Sequence, residues 1–589
     1  MNARQNACWY MVTKANSRMK ANIGMRTVLA LLVSLCWTYV SGQDLDQISV
    51  KKGVTASGGL SFNNTFYSGS DSLIKRDPYV YTLCGDLNVN VMGVDLPFSF
   101  ALSNTSKEYT QPFNRFQLAP KYKWVKLYLG QSALNFSPYT LAGHDMRGVG
   151  MELTPGKWYI GATYGRLNKA VEYDSLIGNL SSVAYKRMGY AAKVGWNGSS
   201  TQVNATFFHG EDKPNSLEWE VPAEADLHPQ ENTAISAFLR QTLFKHLFVQ
   251  GEYAFSVYNT EIRTADGAKA NGSNFLEKLL GKKGNDRFVD AINAQLGWDD
   301  DKWGLSFCYE RVAPNYQTLG GYYFTEDKEY FSLAPYVRLF DGKLSVDGQI
   351  GLEYNNLNKI KSDNTHRIAG SANVTFNSGK HWNAMLAYNN FTSYTRYKKT
   401  AYPYYKDDLD TLNYYQVSQS LMGSVGYNFG TKERMQSVAA SLAWQNANTE
   451  AGNVSTAKQN VESGTLNFSQ SFAAAKINWN IYGSLNYADA MNMQSLFVGP
   501  GGTVSKTFWD DAVTASLGNT FSVNSLNGKN NSSLLNSNLT LNWDIKQLGT
   551  KYGSHSVNGT VGLTNWLKKS NSNKKDYELL ATVNYSVRF

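Results

Sequence analysis

Hydrophobic and polar residues alternate with a period of two over most of this chain. In 343–354, Leu344, Val346, Gly348, Ile350, Leu352 and Tyr354 fall on one face, and Lys343, Ser345, Asp347, Gln349 and Glu353 on the other. In 535–544, Leu535, Leu539, Leu541 and Trp543 oppose Asn536, Asn538, Thr540, Asn542 and Asp544. The final thirteen residues, Tyr577 to Phe589, place an apolar or aromatic residue at every odd position and a polar one at every even position except Leu580. Side chains alternate across a strand, so each segment has one oily and one wet face. The connections supply the second half of the pattern. Tight turns such as Met92-Gly93, Asn197-Gly198-Ser199, Asp341-Gly342 and Ser378-Gly379-Lys380 alternate with longer loops, among them 210–231, 260–286, 312–328, 355–365 and 394–412. A sandwich has no reason to keep its long loops on one parity, whereas a membrane barrel has short turns at one end and long loops at the other. The pattern predicts an all-β fold: a single large transmembrane antiparallel β-barrel of about 22–26 strands. A count of 26 needs a short strand at 113–118 before Pro120, and one strand running through Gly499-Pro500-Gly501-Gly502 in 494–508.

Composition sharpens this picture. Aromatic residues make up 13% and charged residues only 17% of the 589 residues, with 37 Tyr and 49 Gly. Soluble domains run nearer a quarter charged. Trp158, Tyr159, Trp196, Trp298, Trp303, Trp382, Trp444, Trp509 and Trp566 stand near strand ends, as interfacial girdles require. The last strand, with Tyr585, Val587 and a terminal Phe589, resembles the closing strand of bacterial outer-membrane barrels, whose terminal aromatic is read by the barrel-insertion machinery. At the other end, Lys20 and Arg26 precede an apolar run from Val28 to Val40, and Val40-Ser41-Gly42 fits a cleavage site. We therefore expect a signal peptide at 1–42, with Met19 or Met25 as alternative starts, and a barrel at 43–589. Removing 1–42 takes away Arg4, Lys14, Arg18, Lys20 and Arg26 and no acid, so the formal charge falls from +9 to +4. No basic stripe argues for nucleic acid. Alternation begins by Thr55 to Tyr67, which leaves no room for a plug domain before the barrel. Cys84 and Cys308 sit on the polar parity and are expected to be free thiols facing inward.

The least regular region is Phe113 to Asn168. It includes Asn114-Arg115-Phe116, Tyr122-Lys123-Trp124 and Phe136-Ser137-Pro138-Tyr139-Thr140-Leu141-Ala142-Gly143-His144. It resembles a group of Bacteroidota outer-membrane barrel proteins carrying a similar Phe-Ser-Pro-Tyr-Thr-Leu-x-Gly-His stretch. The resemblance implies location and fold and supplies no activity. Two readings of 136–144 are open. One is a turn set by Pro138 and Gly143, the simpler of the two. The other is a loop folded into the lumen, with His144, Asp145 and Arg147 lining a constriction, since charged rings set pore selectivity. Ser137 and His144 lack the surroundings of a hydrolase triad, so no enzyme is expected. No His/Cys spacing fits zinc. The acidic turns Asp299–Asp301 and Asp407-Asp408-Asp410 read as solvated surface, and no cofactor is implied. Tyr394, Tyr397, Tyr402, Tyr404 and Tyr405, among Arg396, Lys398, Lys399 and Lys406, form a candidate external ligand loop, because tyrosine offers rigid amphipathic contact area. Interfacial aromatics explain them equally well.

The expected function is a porin-like channel or transporter in the bacterial cell outer membrane. Its lumen would be lined by residues such as Asp86, Asn88, Asp347, Glu353, Asn538 and Asp544. The alternative is a structural barrel that docks a surface or periplasmic protein partner, with lipid as the surrounding phase in either case.

Overall fold

The computed structural model describes residues 53–70, 77–104, 115–173, 183–218, 226–264, 286–322, 325–361, 363–397, 414–451, 454–491, 493–545, 553–568 and 576–589. The expected signal segment, Asp407, Asp408 and Asp410, and Tyr402, Tyr404 and Tyr405 lie outside these residues. All strands belong to one antiparallel sheet of 27 segments. Two of them, Arg115–Leu118 and Lys121–Tyr122, are a single interrupted stave, since both pair with Val94–Ser103 on one side and Val125–Ser132 on the other. The interruption falls at Ala119-Pro120. Pro120 has no N–H to give the ladder. The ladder is bridged there by Ala119 N donating to the Pro97 carbonyl at 2.9 Å and Leu127 N to the Pro120 carbonyl at 2.8 Å. The sheet therefore has 26 staves.

The sheet closes on itself. The first strand, Val54–Gly69, pairs with the last, Asp576–Arg588, from Gly59↔Arg588 to Gly69↔Glu578. Beyond that register Gly58 and Phe589 exchange both backbone hydrogen bonds, at 2.8 and 3.0 Å. Closure leaves no free edge to template aggregation. The strand Met493–Phe508 runs unbroken through Gly499-Pro500-Gly501-Gly502 on its Ile477–Ala490 side. On its other side the ladder omits Gly499 and Pro500. Gly501 is required by a close approach: a Cβ there would meet the Tyr482 ring at 2.6 Å.

The alternation read from the sequence maps onto outside and inside. Leu60, Val149, Leu239, Leu296, Ile350, Leu466, Ile481 and Leu539 are exposed and share the outer parity of their strands. The opposite parity carries Asn204, Thr206, Ser236, Asp347, Ser469 and Asn538. Indoles collect on the outer face at the short-turn end. Trp158 and Trp196 are register partners, Trp298 and Trp303 stack at 5.9 Å, and Trp382 packs on Tyr427 at 4.5 Å. Tyr159 departs from the expected girdle, because it faces inward and donates to Glu152 at 2.6 Å. The long loops keep one parity, but that end is low along the carboxy-terminal arc. Ala451 and Val454 there bound consecutive strands, as do Leu526 and Lys529. Cys84 and Cys308 are free, each on the inner parity of its strand.

Candidate functional site

Five glycines stand side by side on the inner wall of five successive strands. Gly130 pairs with Gly148, Gly148 with Gly165, Gly165 with Gly189, and Gly189 with Gly210. Without Cβ atoms the backbones of this row approach one another closely, since a Cβ on Gly148 would strike the Tyr164 carbonyl, and the described residues of two loops lie against the wall beside it. The first is 133–145, between Val125–Ser132 and Met146–Leu153. The second is 313–327, between Trp303–Val312 and Lys328–Leu339. The first carries Leu134, Phe136, Tyr139 and Leu141, all buried, and the second Tyr316 and Leu319, also buried. Further inward glycines fit the same side chains. A Cβ on Gly161 would strike the Phe136 ring at 2.9 Å, on Gly150 would meet Leu134 at 3.3 Å, and on Gly210 would meet Leu319 at 3.4 Å. Burial of these apolar groups drives the loops inward, at roughly 1.5–3 kcal/mol per large side chain fully covered.

Polar pins fix where the first loop lies. Lys193 Nζ donates to the Phe136 carbonyl at 2.8 Å. Ser137 Oγ donates to the Glu252 carboxylate, which also accepts from Ser236 Oγ at 2.6 Å. The Tyr139 hydroxyl donates to Glu310 at 2.7 Å, and Lys328 neutralises Glu310 at 2.8 Å. Burial first, then Glu310 and Glu252, raise the Tyr139 phenol well above its ordinary range, so it stays a donor. Thr140 joins Thr206 at 3.2 Å. The second loop lies on the first: Tyr316 OH donates to the Tyr139 carbonyl at 2.8 Å, Thr318 Oγ1 to the Thr140 carbonyl at 2.6 Å, and Ala142 N to the Gly320 carbonyl at 2.8 Å. Asn232 and Ser256 tie the second loop to the wall through Leu319 N and the Gln317 carbonyl. Lys193, Glu252 and Glu310 are each hydrogen-bonded, as a low-dielectric site requires.

The simpler expectation for 136–144, a turn held by Pro138 and Gly143, understates what the segment does, because its backbone and hydroxyls are docked on the inner wall. His144 is buried, stacks on Tyr322 at 4.1 Å and donates Nδ1–H to the Asp145 carbonyl at 2.9 Å. Asp145 pairs with Arg115 at 3.1 Å. Arg147 lies on the parity of exposed Val149, directly opposite Arg166, and so faces away from the lumen. Ser137 and His144 have different partners and do not form a pair. Asp86 and Asp544 are exposed on the inner parity at the barrel seam, where both line a recess of about 1170 Å³ with Arg588. Asp347 is exposed on the inner wall near Ser345, at 3.0 Å, and Glu353 pairs with Arg367 at 2.6 Å. Asn88 and Asn538 share the inner parity. Tyr394 and Tyr397 belong to the strand Trp382–Tyr397, and their side chains are outside the described residues. Tyr585 is exposed outward beside His555, 2.7 Å from its Nδ1. Lys193, Glu252, Glu310 and the glycine row were not singled out in the sequence. The glycines lie 17 to 24 residues apart on different strands, so only the register brings them together.

His144 is expected to make this loop pH-sensitive. Burial is the largest influence and holds its ring below the ordinary histidine value of 6.5. A depressed folded-state value means the docked loop is favoured while the ring is neutral, above about 6.5, and loses that preference as pH falls below it. If the barrel conducts, its current should become noisier as the pH is lowered below 6.5. A His144→Asn variant should show no such change in single-channel recordings.

No family model matches the sequence, and no curated protein does. Solved structures show a partial likeness. A chain of the E. coli P pilus tip assembly intermediate PapC-PapD-PapK-PapG is 12% identical with a TM-score of 0.41, covering 90% of this chain and 60% of its own. The siderophore receptor PirA from Pseudomonas aeruginosa is 10% identical with a TM-score of 0.34, covering 90% and 80%. Pseudomonas aeruginosa OpdK with vanillate is 8% identical with a TM-score of 0.26, covering 61% and 94%. This chain thus spans 60% of the length of the pilus assembly chain. The likenesses are of form alone: a large β-barrel that resembles outer-membrane ushers, transporters and porins.

Proposed function

We propose that this protein is a porin-like channel or transporter of the bacterial outer membrane. It would be exported by the segment 1–42 and threaded into the bilayer by the barrel-insertion machinery. Lipid would cover the belt of exposed Leu, Val, Ile and Phe on the outer face; water would not tolerate a contiguous apolar band of that extent. The observation that carries the reading is the pair of docked loops. Their described residues lie on the inner wall between Val125–Ser132 and Trp303–Val312, while most inward polar side chains on the wall across the barrel are only half-buried. A wide barrel with one side narrowed by pinned loops has the form of a passage with a fixed constriction.

The test is planar-bilayer recording of the purified, detergent-extracted protein. Discrete conductance steps that persist at low voltage are expected. A barrel that stays closed at all voltages, and that remains closed when residues 137–141 are deleted, would overturn the reading.

A further inference from the structure

The two halves of the inner wall differ in charge. On the arc under the loops, inward charges are present and engaged, as Lys193, Glu252 and Glu310 show. On the opposite arc they are almost missing. The strands Tyr414–Gly430 and Val513–Leu526 contain no Asp, Glu, Lys or Arg at all. Across the strand bodies between Gln416 and Thr564, hairpin ends aside, Asp544 is the one charged residue on the inner parity among those described. The charged residues those strands do carry, Lys458, Glu462, Asp489 and Lys506, fall on the outer parity.

Hydroxyls and amides take the inward places, and they are arranged in cross-strand pairs. Ser437 meets Ser469 at 2.6 Å, Ser441 meets Thr465 at 2.7 Å, Thr507 meets Thr514 at 3.0 Å, and Ser556 meets Ser586 at 2.6 Å. Thr503 and Asn480 are bonded likewise, as are Asn558 and Asn542. A cleft of about 390 Å³ opens on this wall, lined by Ser437, Ser469, Asn478, Asn480, Thr503 and Ser505 among others.

We propose that the solutes this channel carries are neutral and hydroxyl-rich, of the saccharide class, and that they follow this arc. The inference rests on the channel reading above and adds the chemistry of the cargo. Hydroxyl and amide groups both donate and accept. A sugar hydroxyl can therefore exchange a water bond for a wall bond at little cost. An ion gains nothing comparable, because its lost hydration is not repaid where no opposite charge faces it. Neighbouring strands stand about 4.8 Å apart, so the hydroxyl rows recur across the wall at roughly the step between rings of a saccharide chain.

Proteoliposome swelling with the mature chain tests this. Sucrose and maltotriose are expected to enter severalfold faster than gluconate or lysine, despite their larger size. The reversal potential in a potassium chloride gradient should stay near zero. The Asn480→Asp/Ser469→Asp double variant should shift the reversal potential toward cation preference and slow sugar entry, while its single-channel conductance persists. Charged solutes ahead of sugars in the unmodified protein would overturn the inference and leave the channel standing. No swelling with any solute, together with no conductance, would remove both.

Discussion

On the channel reading proposed above, a Glu252→Ala variant is expected to widen the passage and make its current unsteady. Glu252 accepts from Ser137 on the first loop and from Ser236 on the wall. Hydrogen bonds to a charged group contribute about 1.5–3 kcal/mol each. The site is only partly buried, so the lower end applies, and of the two bonds only that from Ser137 runs from loop to wall, so its loss costs about 1.5 kcal/mol, or roughly tenfold in the docking equilibrium. Lys193 would also lose a nearby counter-charge. The loop should then leave the wall for part of the time, and mean conductance and open-channel noise should both rise. Glu252→Gln keeps an acceptor and should show a smaller change. Glu353→Gln, on the wall away from the loops, should show none. Recordings of Glu252→Ala that match the unmodified protein, from a barrel of unchanged gel mobility, would mean that the loop is not held from this residue.

The barrel itself was legible in the sequence because its cause is local. Alternation over ten or more residues, as in Leu344–Asn355 or Lys529–Asp544, follows directly from side chains that must face opposite media. Both soft points in the strand count have a local cause as well: Pro120 and Pro500 remove one donor each and leave the stave in place. The site was legible only in part. The segment Phe136–His144 stood out by its Gly, Pro and aromatic content. Nothing within it says that Ser137 reaches Glu252, which lies 115 residues away, or that Tyr139 reaches Glu310, which lies 171 away. Those contacts depend on the register of the strands between Val125–Ser132 and Trp303–Val312, which no local pattern discloses. Arg147 shows the same limit at short range. Counting from His144 places it near the loop, but it belongs to the strand Met146–Leu153, whose parity turns it outward.

On the reading that the insertion machinery recognises Phe589, its loss should affect assembly far more than it affects the stability of the finished barrel. In the closed sheet Phe589 adds one rung: its N–H and carbonyl both pair with Gly58. The ladder below runs on from Gly59↔Arg588 to Gly69↔Glu578, so deletion shortens the seam without breaking it. Two backbone hydrogen bonds contribute about 1–3 kcal/mol together, a small part of a seam of this length. The ring itself packs little, being 41% exposed on the outer face. If the terminal aromatic is what the insertion machinery reads, Phe589→Ala, which keeps both backbone bonds, should reduce the folded protein in the outer membrane about as severely as deletion does. Both variants should nevertheless refold from urea into detergent almost as well as the unmodified chain, judged by heat-modifiable gel mobility. Normal membrane levels of Phe589→Ala would assign the residue to the seam alone. Failure of both variants to refold in detergent would place its contribution in the barrel rather than in recognition.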